Sequence, residues 1–125
     1  MNATQQAQTA YRTQAQTIRT PRGLEYDAFA RITHRLGLAA VKGREDMPTL
    51  ASALHDNRRL WTILATDVAD PDNSLPQTLR ARVVYLAQFS HHHSTEVLNG
   101  SASIQPLIDI NLAIMHGLSD RRAEK

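Results

Sequence analysis

The chain has 125 residues, 42% of them hydrophobic and 21% charged, with a formal net charge of +2 and a pI near 9.4. That is one domain's worth of chain, with enough apolar mass for a core. There is no Cys, which excludes disulfides, thiolate nucleophiles and Cys-based metal sites and suits a reducing cytoplasm. No basic-then-apolar leader and no apolar run long enough to cross a bilayer is visible. A soluble cytoplasmic protein without membrane contact is expected.

Residues 1–19 are rich in Ala, Gln and Thr, with Tyr11 and Ile18 as the large apolar anchors. Ala and Gln favour helix and repeated Thr does not, so this segment reads as an N-terminal helix or arm of low intrinsic stability. Residues 1–22 carry Arg12, Arg19 and Arg22 and no acid. Such a start can touch RNA or an acidic partner. A dedicated phosphate-binding face uses many more cations, so a solvated segment is the simpler reading.

Thr20-Pro21 marks the start of the next helix, as cap and first helical residue. The pattern carries that helix to about Val41, with Leu24, Ala28, Phe29, Ile32, Leu36 and Ala39 on one side. Gly43 is the expected left-handed cap. Pro48 opens a helix that stacks Leu50, Leu54, Asn57, Trp61, Leu64 and Val68 in one narrow stripe, at about 100° per residue. Such a stripe must be buried. Pro71 ends it, and Asp70-Pro71-Asp72-Asn73-Ser74 reads as a rigid acidic corner. Ser74 is the candidate cap of the next helix, which runs from about Pro76 to Leu98 and stops at Asn99-Gly100. Its stripe is Leu79, Val83, Leu86, Ser90, His93 and Val97, weakening toward the end.

The last helix, Ile104 to about Leu118, carries a very wide apolar arc: Ile104, Leu107, Ile108, Ile110, Leu112, Ile114, Met115 and Leu118. An arc of that width predicts packing on several sides, and so a place in the middle of the bundle. Residues 119–125 read as a charged tail. No period-2 run suggests a strand. The expected fold is a single all-α domain over 1–125, a small bundle of four main helices plus the N-terminal helix or arm, with the last helix central.

The chemistry-bearing patterns are sparse. His91-His92-His93 cannot converge on one ion from a helix, because neighbouring side chains point about 100° apart. Asp67, Asp70 and Asp72 lack the turn Gly and the later Glu of a calcium loop. Phosphate loops and nucleophile elbows are missing too. No catalytic residue, no metal site and no cofactor is assigned, and the chain is read as a non-enzyme. The informative residues are two amides on apolar faces, Asn57 and Asn111. Each needs a bonded partner. They can form a register-fixing pair inside the bundle or a polar anchor in a groove that takes a partner helix.

The run from Asp56 to Ile63, D-N-R-R-L-W-T-I, the corner from Asp67 to Pro76 and the close L-I-D-I-N from Leu107 to Asn111 resemble the FlaF family. The likeness extends back to Tyr11, and the three His and the Gln/Thr-rich start depart from the pattern. FlaF proteins are small flagellar biosynthesis regulators of alphaproteobacteria. The resemblance implies a cytoplasmic flagellin chaperone needed for flagellin synthesis and secretion, acting with the regulator FlbT. The alternative is a translational regulator of flagellin mRNA that acts with FlbT through RNA or protein contacts. Flagellin exposes amphipathic terminal helices, and an apolar groove in a helical bundle can sequester one. The candidate partner-binding residues are Asn57, Arg58, Trp61, Asp109 and Asn111. Their groove is expected between the Trp61 helix and the last helix, with Arg58 on its rim.

Overall fold

The computed structural model describes residues 22–123, with side chains for 26–117. It shows α1 (Arg22–Lys42), a 3-10 turn (Gly43–Asp46), α2 (Met47–Ala69), α3 (Gln77–Leu98) and α4 (Gln105–Ala123). No strand occurs among the described residues, so the all-α architecture expected from the periodicity is the one found. The segment 1–19 lies outside them. Helix α4 continues to Ala123, so the backbone of 119–123, read above as tail, is helical.

Local signals explain most boundaries. Gly43 has φ +67° and Gly100 φ +82°, the left-handed region that costs glycine no Cβ clash. After α3 the Gly100 amide bonds the Val97 carbonyl and the Ser101 amide the Glu96 carbonyl, the paired closure of a Schellman motif. Arg44 adds bonds from its guanidinium to the Val97 and Leu98 carbonyls, at 3.0 and 3.3 Å. Asp46 caps α2 by accepting from the Thr49 amide and hydroxyl. Those bonds hold its carboxyl below the ordinary carboxylate range. The cap expected at Ser74 is instead taken by Pro76, without a side-chain bond. Leu75 is pinned one residue earlier by Asn73 Oδ1, which sets where the helix begins.

Helix α2 lies beside α1 and α3, and α4 lies beside α1. Helices α3 and α4 touch each other least, and α2 and α4 face each other across the diagonal. The short connections make successive helices antiparallel. The apolar core has two halves. Phe29, Ile32, Leu60, Trp61, Leu64 and Val83 belong to one, and Leu36, Leu50, Leu54, Val97 and Leu107 to the other.

The last helix does not hold the centre. Eight α2 side chains are buried, from Leu50 to Val68. Among the described side chains of α4 only Leu107 and Asn111 are buried; Ile108, Ile110, Ile114 and Met115 are half-covered and Leu112 is 48% exposed. The wide arc spreads over the seams on both flanks of α4 rather than being enclosed. Helices α1 and α2, each with a neighbour on either side and an apolar stripe buried along it, enclose more of the core than α4 does. Amide hydrogen exchange is therefore expected to be slowest in α2 between Leu50 and Leu64, and faster in α4. Slower exchange in α4 would reverse this order.

Candidate functional site

A buried polar network joins α2, α3 and α4 in the core. Trp61 Nε1 donates to Asn111 Oδ1 at 3.0 Å, Asn111 Nδ2 to Asn57 Oδ1 at 2.8 Å, and Asn57 Nδ2 to Ser90 Oγ at 3.2 Å. Asn57, Trp61 and Asn111 are each 0% exposed and Ser90 1%. Phe29 of α1 meets the Trp61 ring edge-to-face, with centroids 5.5 Å apart, a favoured aromatic geometry. All four helices thus converge here.

The chain of bonds spans the diagonal from α2 to α4, where the backbones do not approach closely. It can do so because Trp and Asn carry polar atoms at the end of a reach. The α3 side is open to it because the inner face of that helix is small, with Ala87, Ser90 and Ser94 buried. Ser94 Oγ is satisfied by the Ser90 carbonyl. Among the described residues only Thr33 Oγ1 is a buried polar side-chain atom without a partner. The network is therefore closed on itself, and low surrounding polarity makes each bond costly to break.

This decides where the five candidate residues stand. Asn57, Trp61 and Asn111 lie in the core, the amides as the bonded pair that was one of the two readings above. Arg58 and Asp109 are exposed. Asp109 accepts from Gln105 Nε2 of its own helix. Arg58 lies on the α3 side of α2, where its charge reaches His91. The structure brings the first three together and leaves Arg58 and Asp109 apart. Because α2 and α4 are diagonal, they cannot border one surface groove, which corrects the groove expected between them.

The three His side chains diverge, as a helix requires. His91 Nε2 lies 3.3 Å from Thr62 Oγ1. His92 pairs with Glu96, and His93 Nε2 donates to the Ser103 carbonyl at 2.7 Å. No group of three or more metal-ligating side chains gathers among the described residues. The acidic corner is a built turn. Asp70 Oδ1 accepts from the Asp72 amide, and Arg80 reaches back to the Val68 and Asp70 carbonyls. Among the described residues no helix is long and apolar enough to cross a membrane.

The family model described as flagellar protein FlaF matches residues 7–118. The chain belongs to the FlaF family. The match takes in all of α1, α2 and α3, the polar centre and most of α4. It also includes the Asp56–Ile63 run, which in this FlaF domain supplies Asn57 and Trp61 to the core. No curated protein and no solved structure matches the chain.

Residue-by-residue reading missed Ser90 as the partner of Asn57, although it did place Ser90 on the inner stripe of its helix. It missed Arg44 and the Thr62–His91 contact altogether. Each depends on which helix lies next to which, and no spacing along the chain encodes that.

Proposed function

We propose that this FlaF protein is a cytoplasmic flagellin chaperone that regulates flagellin synthesis and secretion, with FlbT as a second partner. The observation that carries the reading is the FlaF match over most of the chain. The bundle offers a surface suited to the task. The α2-facing flank of α3 is marked by His91 against Thr62. The other flank carries Leu86, Phe89 and His93, and His93 reaches the loop before α4. Leu86, Ile110 and Ile114 are half-buried on the same core cluster, and Tyr85 is 65% exposed. An amphipathic helix of flagellin would cover apolar surface along this loosely closed α3–α4 seam.

The test is size-exclusion chromatography of the purified protein with monomeric flagellin, with and without RNase. Co-elution that survives RNase is the expected result. Co-elution lost on RNase treatment would transfer the activity to an RNA-associated regulator. No co-elution in either case would remove flagellin as the partner.

A further inference from the structure

A different face of the molecule, between α2 and α3, carries unspent positive charge. Three Arg residues are used inside the fold: Arg35 pairs with Asp56, Arg44 closes the end of α3, and Arg80 holds the acidic corner. Arg58 is exposed and makes no hydrogen bond or ion pair among the described residues. It stands beside His91, whose pKa is lowered first by burial and then by the Arg58 charge. Thr62 Oγ1 is 3.3 Å from His91 Nε2.

Among the described residues no acid is set against this group. Asp56 of α2 is turned to α1, where Arg35 holds it. Asp67 lies at the far end of α2 by Asn73. On α3 the residues one turn away from His91, Ala87, Gln88, Ser94 and Thr95, carry no charge. Glu96 faces His92 and His93. Arg58 is the one charged group on α2 that the structure sets against His91. A guanidinium, a hydroxyl and an imidazole therefore gather across two helices: Thr62 and His91 bond each other, and the Arg58 guanidinium one turn from Thr62 meets no acceptor among the described residues.

We propose that Arg58, Thr62 and His91 form a docking point for a carboxylate side chain of a partner protein. The guanidinium fork matches a carboxylate with two parallel bonds, and Thr62 or His91 supplies a further donor. This goes beyond the flagellin reading, since the point asks only for an acidic protein segment. A protein acid suits it better than RNA. A strand of RNA presents a row of phosphates and needs a row of cations, whereas this point offers one Arg and one titratable His, with the corner acids Asp70 and Asp72 beyond the end of α2. A carboxylate placed here favours the charged imidazole, so docking takes up a proton at His91. Affinity rises as pH falls through the pKa that His91 has in the complex, and levels off below its pKa in the free protein.

The experiment is a nuclear magnetic resonance titration of the full chain at low ionic strength. The probes are a hexaglutamate peptide, a hexalysine peptide and a six-nucleotide oligouridine. Hexaglutamate is expected to shift the resonances of Arg58, Thr62 and His91 and to raise the His91 pKa, while hexalysine does neither. Arg58→Glu is expected to weaken that binding at least tenfold, and Arg58→Lys, which keeps the charge and loses the fork, by about threefold. Both sit on an exposed position, and an unchanged melting temperature confirms that the fold is intact. Shifts that map elsewhere, or an unaltered response in Arg58→Glu, overturn the proposal. A stronger response to oligouridine than to hexaglutamate overturns it in favour of RNA. None of these outcomes depends on flagellin, so failure of the chaperone reading stays distinguishable from failure of the docking point.

Discussion

Trp61→Ala is expected to destabilise the protein by about 3–5 kcal/mol, the range for emptying a large aromatic from a packed core. Trp61 is 0% exposed, so everything beyond its Cβ is removed from a packed site. The loss has two parts. The ring leaves Phe29 without its edge-to-face partner, and the missing N–H leaves Asn111 Oδ1 without its donor. Trp61→Phe helps to separate them, since it keeps an aromatic against Phe29 and removes the donor with only part of the ring volume. Its cost is expected at about 1–3 kcal/mol, that of one buried group left unsatisfied. Urea denaturation followed by circular dichroism measures both. A loss under about 1 kcal/mol for the alanine variant would place the ring outside the core.

Asn111→Ala is expected to cost about 2–5 kcal/mol, because it orphans groups on two sides. Trp61 Nε1 loses its acceptor and Asn57 Oδ1 loses its donor, and neither lies where water can replace the bond. Asn57→Ala breaks the same amide pair and also removes the donor to Ser90. The two changes are expected to be non-additive, with a coupling of about 0.5–3 kcal/mol. An Asn57→Leu, Asn111→Leu double variant should fall short of the sum of its singles, since paired polar groups replaced together leave fewer orphans. Strict additivity in the denaturation series would mean that the amides act independently, against the 2.8 Å bond between them. The double variant also tests specificity. With the polar bridge gone, only apolar matching sets the register of α4 against α2, and a broader unfolding transition is the expected sign.

Much of this protein was legible along the chain. Gly43, Pro48, Pro71 and Asn99-Gly100 marked the helix ends, because backbone sterics and the missing Pro N–H act locally. The stripe Leu50, Leu54, Asn57, Trp61, Leu64 and Val68 is buried throughout, since periodicity reports which face of a helix is apolar. The run from Asp56 to Ile63 carried the family. Periodicity does not report which neighbour an apolar face meets. The broad arc of α4 reads the same whether the helix is enclosed or lies across two seams, and only packing showed Leu112 at the surface. In the same way the residues could name Asn57 and Asn111 as amides in need of partners. The order of the helices around the bundle decided that each would be the other's partner, with Trp61 and Ser90 completing the chain of bonds. Hydrogen bonds over a sequence distance of 54 residues depend on that arrangement, which only the tertiary fold supplies.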